Sequence, residues 1–169
     1  GGESAERIAG KFECLDRVGE RRRFGLIRDR FDFRFGRLDR DVKRGGEIIV
    51  TPYSYVATAG AVFWEGFTPV FADIDRVNLA LDPAKAAEKI NGNTRAILAT
   101  HVYGIPADVE GLEALGAAHG IPVMFDAAHA FGVNYQGKSL LQRGDISVVS
   151  THATKVFHTA NGGFTVCKS

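Results

Sequence analysis

From Glu47 to Cys167 the chain keeps returning to short runs that are apolar at successive positions, with no polar alternation. They are Glu47–Thr51 (EIIVT), Pro69–Asp73 (PVFAD), Arg95–His101 (RAILATH), Ile121–Asp126 (IPVMFD), Ile146–Ser150 and Gly163–Cys167. A strand of that kind has no face to offer to water, so it belongs in a sheet covered on both sides. The intervening stretches supply the cover. Val56–Trp64 is helix-length and rich in small and apolar residues. Asp82 and Pro83 open a second helix through Ile90, as N-cap and first helical residue. Asp108–His119 places Val109, Leu112 and Leu115 on one face, and Gly120 closes it. Strands alternating with helices predict an α/β fold, a largely parallel sheet flanked by helices and joined by right-handed crossovers. In such folds ligands bind at the carboxyl ends of the strands.

The first 45 residues are a different kind of sequence. They hold 13 Lys/Arg and 9 Asp/Glu, and eleven of the basic residues are arginine, against three arginines in all that follows. Phe31, Phe33 and Phe35 alternate with Asp32 and Arg34 as one short strand would. Arg21–Arg22–Arg23 beside Phe24 has the residue types of a nucleic-acid contact. The acidic residues are interspersed almost evenly, however, so no clean positive face forms and no nucleic-acid partner is expected. Residues 1–45 are expected to be poorly ordered, and residues 46–169 to form the folded part. No uncharged run approaches the roughly 20 apolar residues of a membrane span, and no membrane association is expected. A cytoplasmic location is expected.

The strand ends are therefore the places to look for chemistry. Asp126 ends the fourth apolar run and leads into Ala-Ala-His-Ala-Phe-Gly (127–132). A carboxylate after five apolar residues needs a cation or donors to meet it, although a helix-capping aspartate fits the position equally well. Ser150 ends the fifth run, and Lys155 follows among small and hydroxyl residues, either as a surface lysine or as a nucleophilic amine. Asn161–Gly162–Gly163 makes a tight return that lets backbone approach a ligand. The five histidines show no metal-ligand spacing and the two cysteines lie far apart, so no metal is expected. Dinucleotide, Walker-type and nucleophile-elbow motifs are absent. One carboxylate and one lysine at neighbouring strand ends suit pyridoxal phosphate.

Those residues resemble the DegT/DnrJ/StrS family of pyridoxal-phosphate-dependent sugar-nucleotide aminotransferases. The resemblance is carried by GEIIVTPYSYVATA (46–59), PVFADID (69–75), HVYGIPAD (101–108), DAAHAFG (126–132), GDI (144–146) and STHATK (150–155), in that order. It implies the large, pyridoxal-phosphate-binding domain of a fold-type-I aminotransferase, present in part, with the C-terminal small domain absent. It further implies a covalent imine between the cofactor and Lys155, with Asp126 paired to the ring nitrogen. Tyr55 would stack on the ring, His129 lie beside the ring hydroxyl, and Ser150 donate to the phosphate. The implied reaction is transamination of a nucleotide-linked keto-sugar, with an amino-acid donor such as glutamate, in amino-sugar or surface-polysaccharide biosynthesis. The implied assembly is a homodimer. The alternative is a catalytically inactive fragment or interaction module with the same fold. Residues 20–30 lack the Ser/Asn-Gly-Thr turn that the family uses for the phosphate, Ile105 replaces a usually polar residue, and Asn161 stands where Glu is usual.

Overall fold

A computed structural model describes residues 13–15, 21–23 and 45–168. Two units are distinguished. In the first, β1 (Glu13–Leu15) and β2 (Arg21–Arg23) pair antiparallel, with Glu13 opposite Arg23. The alternating phenylalanines at 31, 33 and 35, and most of the stretch 20–30, lie outside the described residues.

The second unit carries the sheet. Its elements are β3 (Glu47–Val50), α1 (Val56–Trp64), β4 (Thr68–Phe71), α2 (Pro83–Ala87), β5 (Thr94–Thr100), α3 (Val109–His119), β6 (Val123–Asp126), the short hairpin β7 (Asn134–Tyr135) and β8 (Lys138–Ser139), β9 (Ile146–Ser150) and β10 (Gly163–Cys167). Six strands form one sheet in the order β10-β9-β6-β5-β3-β4. All neighbours in it are parallel except β10, which runs antiparallel beside β9 with Gly163 opposite Ser150. The expected α/β architecture is present.

Alternate residues of each strand feed opposite faces. Ile48 and Val50 of β3, Ala96 and Leu98 of β5, Met124 of β6 and Ile146 of β9 pack with Val62 of α1 and with Phe67. Their neighbours Ile49, Ile97, Ala99, Val123, Phe125 and Val149 pack with Leu81, with Ala86 of α2 and with Val109 and Leu112 of α3. The reason is directional. The chain crosses from β3 to β4 one way and from β4 past β3 to β5 and β6 the other way, so crossovers of one hand leave α1 on one face and α2 and α3 on the other. The strand order reverses between β3 and β5, and their carboxyl ends flank a crevice of the kind that takes ligands.

Local sequence explains the helix ends. Asp82 accepts the Ala84 amide with Pro83 at the first turn, and Asp108 accepts the Gly111 amide. Gly120 closes α3 in the left-handed conformation. The second helix is shorter than its expected reach to Ile90. After Ala87 the amides of Lys89 and Ile90 bond three residues back, to Ala86 and Ala87, a tightening that turns Ile90 towards the α2/α3 core. Among the described residues no helix is long and apolar enough to cross a membrane.

Candidate active site

Asp126 closes β6 at the C-terminal edge of the sheet, half-buried. Its carboxylate is met by donors from two directions. The Thr58 hydroxyl on α1 donates to Oδ2 at 2.7 Å, and the Ala128 amide donates to Oδ1 at 3.1 Å. The second bond is the local helix-cap-like contact that the sequence alone allows. The first brings in a residue 68 positions away. Thr58 in turn lies 2.7 Å from the Ser54 hydroxyl, and Thr100, at the end of β5, donates to Ser54 at 3.1 Å. Thr58 and Thr100 are both buried. A charge-assisted bond of this kind contributes about 1.5–3 kcal/mol.

Lys155 lies in the loop between β9 and β10, half-buried, with its Nζ 2.9 Å from Nε2 of His129. A Lys155 N–H donates here in the His129 tautomer whose ring proton is on Nδ1. His129 is itself exposed and belongs to the loop that Asp126 starts. The two loops are neighbours because β6 and β9 are, with Asp126 opposite Val148. The lysine loop is closed at its base. Thr151 accepts the Thr159 amide on its carbonyl at 3.0 Å, and the two threonine hydroxyls meet at 2.9 Å. The Asn161–Gly162–Gly163 return approaches this pair closely. A Cβ on Gly162, at φ +157°, would stand 2.9 Å from the Thr151 hydroxyl. Ser150, at the end of β9, accepts the His152 amide at 3.3 Å. Beside the lysine, Phe157 stacks on Phe131 at 4.6 Å between ring centres.

Tyr55 is placed differently. It is the N-cap of α1, 80% exposed, and makes no capping bond through its side chain. It stands one turn before Thr58 on that helix. Asp126 thus ends β6 and His129 follows it, Ser150 ends the adjacent β9 and Lys155 follows it, and Tyr55 stands apart at the start of α1.

Several residues of the crevice lie within the motifs of the sequence analysis but were not singled out there. Tyr53 and Tyr103, after β3 and β5, join their phenol oxygens at 3.0 Å across an edge-to-face ring pair; the Tyr103 bond holds the Tyr53 phenol above its usual pKa. Tyr103 has φ +54°, an uncommon conformation for a side chain of its size. Gly104 follows at φ +81°, and a Cβ there would lie 2.7 Å from the His129 carbonyl oxygen. Only glycine lets the two loops pass that closely. His101 is fully buried, stacks on Phe125 at 4.4 Å, and accepts the Ala107 amide on Nδ1 at 3.2 Å. Its Nε2 has no hydrogen-bond partner among the described residues. Burial pushes the imidazole down to about 4. Its position at the end of an apolar run was the one available hint. No group of three or more His, Cys, Asp or Glu among the described residues could hold a metal ion.

Comparison with known proteins gives this geometry a context. Residues 37–169 match the DegT/DnrJ/EryC1/StrS aminotransferase family, a span that starts ahead of the first motif at Gly46. The dTDP-4-amino-4,6-dideoxy-D-glucose transaminase of Shigella dysenteriae is 48% identical over 124 residues, which is 73% of this chain and 34% of that protein. The chain therefore spans about a third of the length of this curated relative. Among solved structures, DesI in the presence of its TDP-sugar product superposes with a TM-score of 0.70 at 38% identity, over 74% of this chain and 32% of that one. A Streptococcus pneumoniae protein described as a sugar aminotransferase and solved in its PLP form gives a TM-score of 0.70 at 29% identity, over 76% and 36%.

Proposed function

The chain belongs to the DegT/DnrJ/EryC1/StrS aminotransferase family, and from that premise we propose that residues 46–169 are the part of a pyridoxal-phosphate domain that serves transamination of a nucleotide-linked keto-sugar. The amino donor in this reading is an amino acid such as glutamate, the product enters amino-sugar or surface-polysaccharide biosynthesis, and the complete protein works as a homodimer. The observation that carries it is the Lys155 amine, 2.9 Å from His129 on the loop that begins with Asp126.

The donor set supports the cofactor. Pyridoxal phosphate offers an aldehyde, a basic ring nitrogen and a phosphate. An amine, a carboxylate and a serine hydroxyl at neighbouring strand ends match those three groups. Lys155 is the residue that would hold the cofactor covalently, Asp126 would accept a hydrogen bond from the ring nitrogen, Ser150 would donate to the phosphate, and His129 and Tyr55 would border the ring. When bound, the cofactor supplies an electron-withdrawing ring that stabilises the negative charge left on carbon when a proton departs.

The protein's own contributions follow from its side chains. A carboxylate has about four acceptor positions, and Thr58 and Ala128 occupy two of them. Among the described residues no other donor takes the remainder, which leaves them to a further donor whose positive charge the carboxylate favours. The Lys155 Nζ carries a proton to and from a neighbouring atom, and His129, as its hydrogen-bond acceptor, orients it. Incubation with pyridoxal phosphate, reduction with borohydride and peptide mass spectrometry test this. A pyridoxyl group on Lys155, lost in Lys155→Ala, is the expected result; its absence from Lys155 overturns the proposal.

A second reading is an interaction module that keeps the fold without activity. It is favoured by the exposed Val56, Phe63 and Trp64 of α1, all more than 70% accessible. Self-association in sedimentation experiments, together with no adduct at Lys155, would select it.

A further inference from the structure

We propose that Thr100, Ser54 and Thr58 are positioning residues for Asp126, forming a one-way relay of hydroxyl groups that holds its carboxylate in a single orientation from across the crevice. The inference rests on the proposed function for its purpose, since it concerns the carboxylate assigned there to the ring nitrogen. It rests on the hydroxyl geometry for its content.

The direction of the relay is forced by proton counting. An ionised carboxylate only accepts, and a hydroxyl has one proton to give. Thr58 spends its proton on Asp126 Oδ2 at 2.7 Å. At its 2.7 Å contact with Ser54 it must therefore accept, so Ser54 donates there. With its own proton spent on Thr58, Ser54 can only accept from Thr100, which is the direction found, at 3.1 Å. All three O–H dipoles point the same way, towards the carboxylate. Bonds in such a chain polarise one another, and more strongly where water is excluded. Thr58 and Thr100 are 4% and 8% exposed, so water competes little for either end.

The relay also connects four elements. Thr100 ends β5, Ser54 follows β3, Thr58 sits on α1 and Asp126 ends β6. β3 and β5 are the two strands between which the sheet order reverses. The carboxylate is thus referenced to the rigid sheet on one side through Thr58 and to its own loop on the other through the Ala128 amide. Two donors on different oxygens fix the plane of the carboxyl group, which one donor cannot do. Among the described residues the hydrogen bonds of the three hydroxyls run to one another and to Asp126, not to the Lys155 loop, so they act through Asp126.

The test uses the full 169-residue chain without cofactor, labelled with ¹³C at aspartate side chains and assigned with Asp126→Asn. At neutral pH the Asp126 carboxyl resonance is expected to move in Thr58→Val, which keeps the shape and loses the proton. It is expected to return to its original position in Thr58→Ser. Ser54→Ala and Thr100→Val are expected to move it in the same sense by successively smaller amounts. An unmoved resonance in Thr58→Val, or no return in Thr58→Ser, overturns the role of Thr58. Movement in Thr58→Val with silence in both Ser54→Ala and Thr100→Val reduces the relay to a single bond and overturns it. Should Thr58→Val fail to fold, the Ser54 and Thr100 variants decide alone. A merely space-filling Thr58 would leave valine without effect. Because no cofactor is present, failure here is separate from failure of the borohydride experiment.

Discussion

Asp126 and Lys155 stand at the ends of adjacent strands, yet the protein holds them by different means. The carboxylate is the terminus of a hydrogen-bonded set drawn from four elements, and the residue before it, Phe125, is fully buried in the larger core. The amine belongs to a loop that closes on itself through Thr151 and Thr159, and among the described residues its side-chain bond is to an exposed histidine. The first group is fixed by tertiary packing and the second by its own loop. A charge acceptor gains from being immobile, because preorganised groups need no rearrangement when charge develops. In the proposed function the amine is the group that binds and releases, and its place is in a loop rather than in the sheet.

Substitutions measure that contrast. The largest effect is expected at Phe125, where Phe125→Ala removes the ring between His101 and the α3 side of the sheet and should cost about 3–5 kcal/mol in urea unfolding. Acid comes next. His101 is held neutral by burial, with its folded value near 4 against about 6.5 when unfolded. The unfolded chain therefore binds the proton first. Stability should be fully present above about pH 6.5 and fall as the pH drops towards 4, by about 3 kcal/mol in all. His101→Asn should flatten that slope, and an unchanged slope would show that other groups carry it. The expected cost at Gly104 is smaller. Gly104→Ala imposes a left-handed alanine against the His129 carbonyl and should cost about 1–3 kcal/mol, with the His129 ring resonances shifting as the loops separate. Smallest of all is His129→Ala, on the lysine side. It should leave unfolding within about 0.5 kcal/mol of the parent while changing the borohydride trapping of Lys155. A large loss of stability there would contradict the division between the two halves.

Much of this was legible in advance, for reasons visible in particular residues. The mostly apolar runs located β3 to β6, β9 and β10, but burial on both faces holds only for the central β3, β5 and β6. β4 and β10 are partly buried edge strands, and β9 carries the buried Ser147. The reach of α1 and the capping of α2 by Asp82 and α3 by Asp108 followed from local chemistry that needs no partner. The length of α2 did not, since Ile90 is drawn out of the helix by the core it packs on. Asp126 and Lys155 could be nominated from their positions at strand ends. Thr58, Ser54 and Thr100 could not, because hydroxyls in small-residue stretches are common and nothing local marks the one that meets a carboxylate.

The sequence by itself determined the layer architecture, the motif order that identifies the family, and the residues able to do chemistry, since periodicity, capping and residue type are properties of neighbours along the chain. Only the tertiary structure decided which of those residues meet and which partners hold them. The Thr58–Asp126 bond spans 68 residues and the Lys155–His129 contact 26. The first exists because α1 packs on the face of the sheet that holds Met124 of β6, the second because β6 and β9 are parallel neighbours, relations between segments that no local pattern encodes.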